Sequence, residues 1–340
     1  MNLIQRATTK LRERLTARGL ILMYHRISEP DLDPWGLSVS PDHFTEQLEV
    51  IKKYFYPLSM QEFLGHLQRG KVPNRSIVVT FDDGYMDNLH HAKPLLERSD
   101  IPATMFLVTE AIVEEQIFWW DELERALLQP GMLPDWLELR LNSSRYEWQL
   151  GDARRYSPQD RQKDRQRRPW DALPGTRLAF YYLIWQCLLG LSKSERLEAL
   201  DGIRAWAGTS NDPRHGDRAL GSDEVNVLAK GGLIEVGAHT MTHPSLKVLS
   251  TSQQMEEIVG SKGQLENIIG RPVISFSYPH GEYSFETIEL VQRAGFQGAS
   301  TTNFKCVMPR ADPFQLPRFQ IADWTGEEFL RQLTRWYALF

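Results

Sequence analysis

Thr80-Phe81-Asp82-Asp83-Gly84-Tyr85 and His239-Thr240-Met241-Thr242-His243 are two stretches of this chain whose residue types can do chemistry together. They bring two adjacent carboxylates and two imidazoles, enough to hold a divalent metal ion and keep one carboxylate as a base. Hydrolysis needs that division of labour: ligands that leave a position open for water, and a group that takes the water's proton. Successive side chains point differently, so one aspartate can bind an ion while the other faces the water, and Gly84 permits the tight turn that follows. His-x-x-x-His places both rings on one side of a helical turn, a common way to seat zinc. Taken singly, Asp-Asp-Gly is also an ordinary strand-ending turn, and paired histidines also serve as caps or surface residues. Their joint weight comes from position, because each word follows a strand-like apolar run.

Five such runs end at polar or small residues: 19–24 before His25, 76–81 before Asp82, 103–108 before Thr109, 232–236 before Gly237 and 273–278 before Pro279. Runs of this length read as buried strands. Helical spacing lies between them, over Pro41 to Tyr54 with Ser40 or Asp42 as N-cap, Ala92 to Arg98, Thr251 to Ile269 and Phe285 to Ala294. Alternating strands and helices imply a parallel sheet, and right-handed crossovers put every strand's C-terminal end on one side. The reactive residues then collect at one mouth, as in α/β barrels. Residues 111–222 interrupt the pattern with a helix from Phe118, strand-like 136–141 and 146–150, and an apolar helix over Leu178 to Leu191. Within them, 151–170 carries seven basic and three acidic residues. That stretch is expected to be a solvated, mobile loop, with contact to an anionic glycan or lipid surface as the functional alternative.

The length of 340 residues fits about two domains, or one barrel with insertions. Hydrophobic content of 41% and charged content of 24% suit a soluble protein with a large core, and a net charge of -5 gives no reason to expect nucleic acid as partner. Cys187 and Cys306 are too few for a disulfide scaffold or a cysteine-built zinc site. No secretion signal and no apolar run of ~20 residues is visible, so the expectation is a cytoplasmic protein without a transmembrane segment, peripheral membrane association being left open. The basic residues 1–18 are expected to form a helical segment ahead of one domain over 19–340, interrupted at about 111–222.

The two words resemble those of the polysaccharide deacetylases, carbohydrate esterase family 4. Phe276-Ser277-Tyr278-Pro279-His280-Gly281 resembles the third motif of the exopolysaccharide, poly-N-acetylglucosamine deacetylase branch. The likeness covers roughly residues 19–110 and 222–320. It implies an α/β fold, a distorted (β/α) barrel with 111–222 as a large insertion. It also implies a hydrolase that removes N-acetyl groups from an amino-sugar oligo- or polysaccharide, in exopolysaccharide or cell-envelope glycan metabolism, with one divalent ion, Zn2+ ahead of Co2+, Ni2+ or Fe2+. By this resemblance Asp82 is the general base, Asp83, His239 and His243 bind the metal, Thr240 braces the second word, and the Tyr278 backbone N–H helps hold the oxyanion. Many members place an acidic histidine near the C-terminus, but here no histidine follows His280. His25, whose Tyr24-His25 word resembles that of the poly-N-acetylglucosamine branch, is the replacement as general acid, with His280 as competitor. Ser277 stands where many members carry an arginine that orients the base. Arg318, in Leu316-Pro317-Arg318-Phe319, could supply that charge and keep Asp82 ionised. Asp87 and Asn88 sit near the mouth without an assigned role. Two other readings stay open: an O-acetyl carbohydrate esterase with the same apparatus, and a non-catalytic glycan-binding relative.

Overall fold

The computed structural model describes residues 18–142, 144–209 and 217–339, so the helical segment expected over 1–18 lies outside the described residues except for Arg18. The chain divides into two compact units. One holds the segment ending at Glu29, Leu37–Glu115 and the chain from Ala219 onward; the other holds Pro30–Gly36 and Gln116–Arg218.

The first unit is built on an eight-stranded parallel sheet. Its strands are β1 (Gly19–Tyr24), β2 (Tyr56–Pro57), β3 (Ser76–Phe81), β4 (Ala103–Leu107), β5 (Ile234–Ala238), β6 (Ser275–Ser277), β7 (Gly298–Ser300) and β8 (Phe319–Gln320). They run in the order β7-β6-β5-β4-β3-β1-β8, with β2 paired to the start of β3. Every residue of β1, β3 and β4 is buried, which is why these strands read as nearly unbroken apolar runs rather than as alternation. Ser300 bridges in parallel to Leu316, and Thr301 N–H to Leu316 O (2.8 Å) with Leu316 N–H to Ala299 O (2.9 Å) ties β7 to the segment entering β8. The sheet therefore curls into a distorted barrel. In its wall, Gly237 of β5 lets the neighbouring Phe106 fill the interior, since a Cβ there would stand 2.4 Å from the ring.

The connecting helices start and stop where local chemistry directs. Ser40 caps Pro41–Tyr54 through its side chain, and Ser59 with Glu62 forms a capping box on Met60–Gln68. Thr251–Ile269 opens with the Ser250–Gln253 box and ends at left-handed Gly270. Parallel register sets the strand ends together: Tyr24 of β1 lies beside Phe81 of β3, and Ala238 of β5 beside Leu107 of β4 and Phe276 of β6. The residues that follow, His25, Asp82, His239 and Ser277, are thus delivered to one mouth.

The second unit packs helices Trp119–Leu127, Arg177–Leu189 and Lys193–Ala207 with the antiparallel hairpin Trp136–Leu141 and Ser144–Gln149 around a leucine-rich core. The basic stretch expected as a mobile loop instead contains helix Pro158–Asp164. Pro158 at the first turn and a Ser157–Asp160 capping box start it, buried Asp164 accepts from Tyr156 Oη at 3.0 Å, and Arg161 pairs with Asp31 at 3.0 Å. Its charges are spent on local order, which composition alone does not disclose. No described helix is long and apolar enough to cross a membrane.

Candidate metal centre and active site

The last ladder bond between β1 and β3 is Asp82 N–H to Tyr24 O at 3.0 Å. Beyond it Asp83 takes φ 73° and Gly84 φ 92°, so the chain turns through the left-handed region and adjacent carboxylates face different partners. Asp82 meets Arg318: Nη1 donates to Oδ1 at 2.6 Å and Nη2 to Oδ2 at 2.7 Å, a two-pronged pair in which both residues are buried. The rest of the guanidinium is also engaged, with Nε on Thr301 O (3.0 Å), Nη1 on Thr80 Oγ1 (3.2 Å) and Nη2 on Ser277 Oγ (2.8 Å). Burial by itself would raise the Asp82 carboxyl, but the Arg318 charge, with His239 and the hydrogen bonds, outweighs it and holds the group at about 2. Arg318 thus reaches Asp82 from the segment that closes the barrel, and Ser277 completes its cradle.

His239 and His243 do not lie on a helical turn. Thr240 (φ 67°) and His243 (φ 56°) put two left-handed kinks into an irregular loop, which brings the ring centroids to 4.8 Å. Non-glycine residues in that region cost energy and persist where the surroundings over-determine them. Thr240 Oγ1 donates to His239 O and accepts His243 N–H at 3.0 Å, and the Thr240 and Met241 carbonyls accept the N–H groups of Thr109 and Glu110. Glu257, from helix Thr251–Ile269, accepts Met241 N–H (2.7 Å), Thr242 N–H (3.0 Å) and Thr242 Oγ1–H (2.6 Å). Burial raises the Glu257 carboxyl, against the pull of those bonds.

The sequence reading missed Glu257. Its signal was an acid on the inward stripe of a helix, beside Gln254, Ile258, Ser261 and Leu265. Glu257→Gln is expected to weaken Zn2+ binding about 10–100-fold, read by competition with a chelator, because the loop that aims His243 loses its anionic anchor. Unchanged affinity would show that the loop holds its own shape.

Asp83 Oδ1 lies 3.7 Å from His239 Nε2 and 3.5 Å from His243 Nε2, and the ligand atoms of the three buried residues all fall within 4.8 Å of one another. His239 Nδ1 donates to Ser277 O at 2.8 Å, which leaves the Nε2 lone pair facing the cluster. Burial pushes this imidazole down to about 4, despite Asp82, so it is neutral at pH 7, as a ligand must be. One carboxylate oxygen and two imidazoles converging in a dry recess fit a single divalent ion, with coordination positions left over.

The structure also brings His25 to this mouth, one residue past β1 and within electrostatic reach of Asp82 and Arg318. Burial pushes its imidazole down to about 4, opposed by Asp82 and aided by Arg318. His280 stands beside His243, at φ 56°, its ring centroid 4.6 Å from that of His243. Tyr278 departs from the expected role. Its backbone N–H donates to Ser300 O at 3.1 Å within the sheet ladder, and its Oη donates to Phe314 O at 3.0 Å. That N–H, one residue past β6, is therefore spent on the β7 backbone and not aimed at a reacting oxygen. Asp323 accepts from Ser40 N–H, Ser40 Oγ and His43 Nδ1, a capping duty at the start of helix Pro41–Tyr54.

Known proteins resemble this chain in sequence and in fold. A family model described as polysaccharide deacetylase matches residues 69–132 and 203–299. The poly-beta-1,6-N-acetyl-D-glucosamine N-deacetylase of Staphylococcus aureus (strain MSSA476) is 33% identical over 124 residues, covering 33% of this chain and 43% of that protein. Its Staphylococcus epidermidis counterpart is 32% identical over 107 residues, covering 28% of this chain and 37% of that protein. The chain thus spans less than half the length of these curated relatives. Among solved structures, the Streptococcus pyogenes deacetylase PplD in complex with acetate superimposes with a TM-score of 0.58 at 20% identity, over 93% of this chain and 97% of that one. IcaB from Ammonifex degensii gives 0.58 at 16% identity, over 94% and 97%. These two are likenesses of fold, the parallel curled barrel found here. Its two motif words meet at the barrel mouth, and the polysaccharide deacetylase domain model matches the chain in two pieces around an unmatched middle.

Proposed function

We propose that this protein is a metal-dependent deacetylase that cleaves the acetamide of an N-acetylated amino-sugar chain, with Zn2+ as the ion and Asp83, His239 and His243 as its ligands. One observation carries the reading: two adjacent aspartates are split by environment, Asp82 clamped ionised by Arg318 and Asp83 turned toward His239 and His243. A binding module has no use for that separation. The curated relatives are named for poly-beta-1,6-N-acetyl-D-glucosamine, and we take an N-acetylglucosamine polymer as the substrate class.

Bound at that cluster, the ion supplies Lewis acidity that polarises the acetamide carbonyl, stabilises charge developing on its oxygen and acidifies the attacking water. Asp82 accepts the proton lost by that water as its oxygen bonds to the carbonyl carbon. The carbon–nitrogen bond then breaks and the nitrogen must leave protonated, giving acetate and a free amine. His25 is the donor. Because it is neutral at rest, it works as a relay, taking the proton that Asp82 collected and passing it to the nitrogen.

The test is acetate release from an N-acetylated β-1,6-glucosamine oligomer by chelator-stripped protein. Release is expected to be absent in the stripped protein and restored by one equivalent of Zn2+. Release only from O-acetylated oligosaccharides would replace this reading with an esterase, and no release from either would favour a glycan-binding role.

A further inference from the structure

The word that carries the two aspartates continues as Tyr85-Met86-Asp87-Asn88, and its second half grips the strand end that bears His25. Asp87 and Asn88 are buried. Asp87 Oδ1 accepts Ile27 N–H at 3.0 Å and Asn88 Nδ2–H at 3.0 Å, while Oδ2 accepts Arg26 Nε–H at 2.9 Å. Asn88 Nδ2 also donates to the His25 carbonyl at 2.8 Å. The Arg26 guanidinium in turn lies 4.5 Å from the centroid of the Tyr85 ring. Backbone or side-chain groups of three consecutive residues, His25, Arg26 and Ile27, are therefore held by side chains from the carboxylate word.

The place matters. β1 ends at Tyr24, and the short strand Arg26–Ile27 pairs elsewhere, with Ser38–Val39. His25 sits at the break between the two pairings, where neither sheet aligns it. Asn88 begins a wide helical turn over Asn88–Ala92, in which Lys93 N–H reaches back to Asn88 O, before helix Lys93–Ser99. Such turns insert one residue into helical register and recur where a side chain must be aimed. Here the wide turn begins at the residue that holds the His25 carbonyl.

We infer that Asp87 and Asn88 are positioning residues for proton delivery: they fix His25 relative to Asp82 and the departing nitrogen, and do not touch substrate. The inference rests on the deacetylase reading with His25 as donor. Leaving groups separate the two ideas. Expulsion of an amine needs the donated proton, whereas 4-nitrophenolate leaves without one. Loss of the clamp is therefore expected to lower turnover of an N-acetylated glucosamine oligomer far more than turnover of 4-nitrophenyl acetate.

The experiment measures the amide-to-ester ratio of kcat, with KM and zinc content, for His25→Ala, Asn88→Ala and the double variant. His25→Ala is expected to lower the ratio by about 10²-fold and Asn88→Ala by about tenfold. The double variant is expected to match His25→Ala, because a clamp has nothing to position once the imidazole is gone. Equal losses on both substrates for Asn88→Ala, or losses that multiply in the double variant, would overturn the clamp and leave a purely structural role. An unchanged ratio in His25→Ala would instead remove His25 as donor, a distinct failure. Should Asn88→Ala not fold, Asp87→Asn keeps the side-chain size and the Ile27 acceptor, and its ratio is read by the same standard.

Discussion

Arg318→Ala is expected to lower the stability of the protein by about 3–5 kcal/mol, read from denaturant midpoints at pH 7, because it strands a buried carboxylate. The size follows from where the pair lies. Asp82 is 3% exposed and Arg318 1% exposed, and the guanidinium bonds five separate acceptor atoms. The same change should damage catalysis in a pH-dependent way. With Arg318 present, Asp82 is held at about 2 and remains a carboxylate throughout the neutral range. Without it, burial dominates and the carboxyl rises, so the acid limb of kcat/KM moves to higher pH. In stability terms the paired, depressed carboxyl contributes above the unfolded pKa near ~3.9, and that contribution fades as pH falls toward about 2. Arg318→Lys keeps the charge but not the fork, and is expected to fall between wild type and alanine. Wild-type stability and an unmoved acid limb in Arg318→Ala would show that Asp82 owes its ionisation to something else.

Asp82→Asn is expected to reduce acetate release about 10²–10⁴-fold, the usual worth of a positioned base, while zinc content stays near one per chain. The separation of the two readouts is the point. Asp83, His239 and His243 form the cluster that could hold the ion, whereas both oxygens of Asp82 are engaged by the Arg318 fork. Asp83→Asn should reverse the pattern, losing zinc first and activity as a consequence. Full turnover in Asp82→Asn would sink the proposed base. Loss of zinc in that variant would show that the two carboxylates share the ion and do not divide the work.

Much of the barrel was legible because its long strands are buried on both faces and its helices carry caps. Strand β3 ends where its apolar run ends, and helix Thr251–Ile269 has the bounds that its spacing implies. Strands β2, β7 and β8 were not legible: two or three residues hold no periodic signal, and they exist because neighbours offer them partners. The reactive residues could be named from the two words, but their local geometry could not. His-x-x-x-His suggested a helix, and the folded loop uses left-handed Thr240 and His243, held by a carboxylate fourteen residues beyond. Tyr278 was misjudged for a related reason. A motif names a residue, and whether its N–H is spent depends on the strand beside it, here β7. Arg318 could be suspected from its charge in an apolar setting, whereas its fork on Asp82 is a property of barrel closure.

That closure carries a consequence for how the chain is made. Asp82 and Arg318 are separated by 236 positions, and synthesis runs from the first to the second. At about 5–20 residues per second, Asp82 leaves the ribosome tens of seconds before the cation that allows it to be buried as an anion. Until the closing segment forms, a nascent sheet must leave that carboxylate in water or bury it protonated. The Asp82–Arg318 pair is therefore the last of these contacts that synthesis makes available.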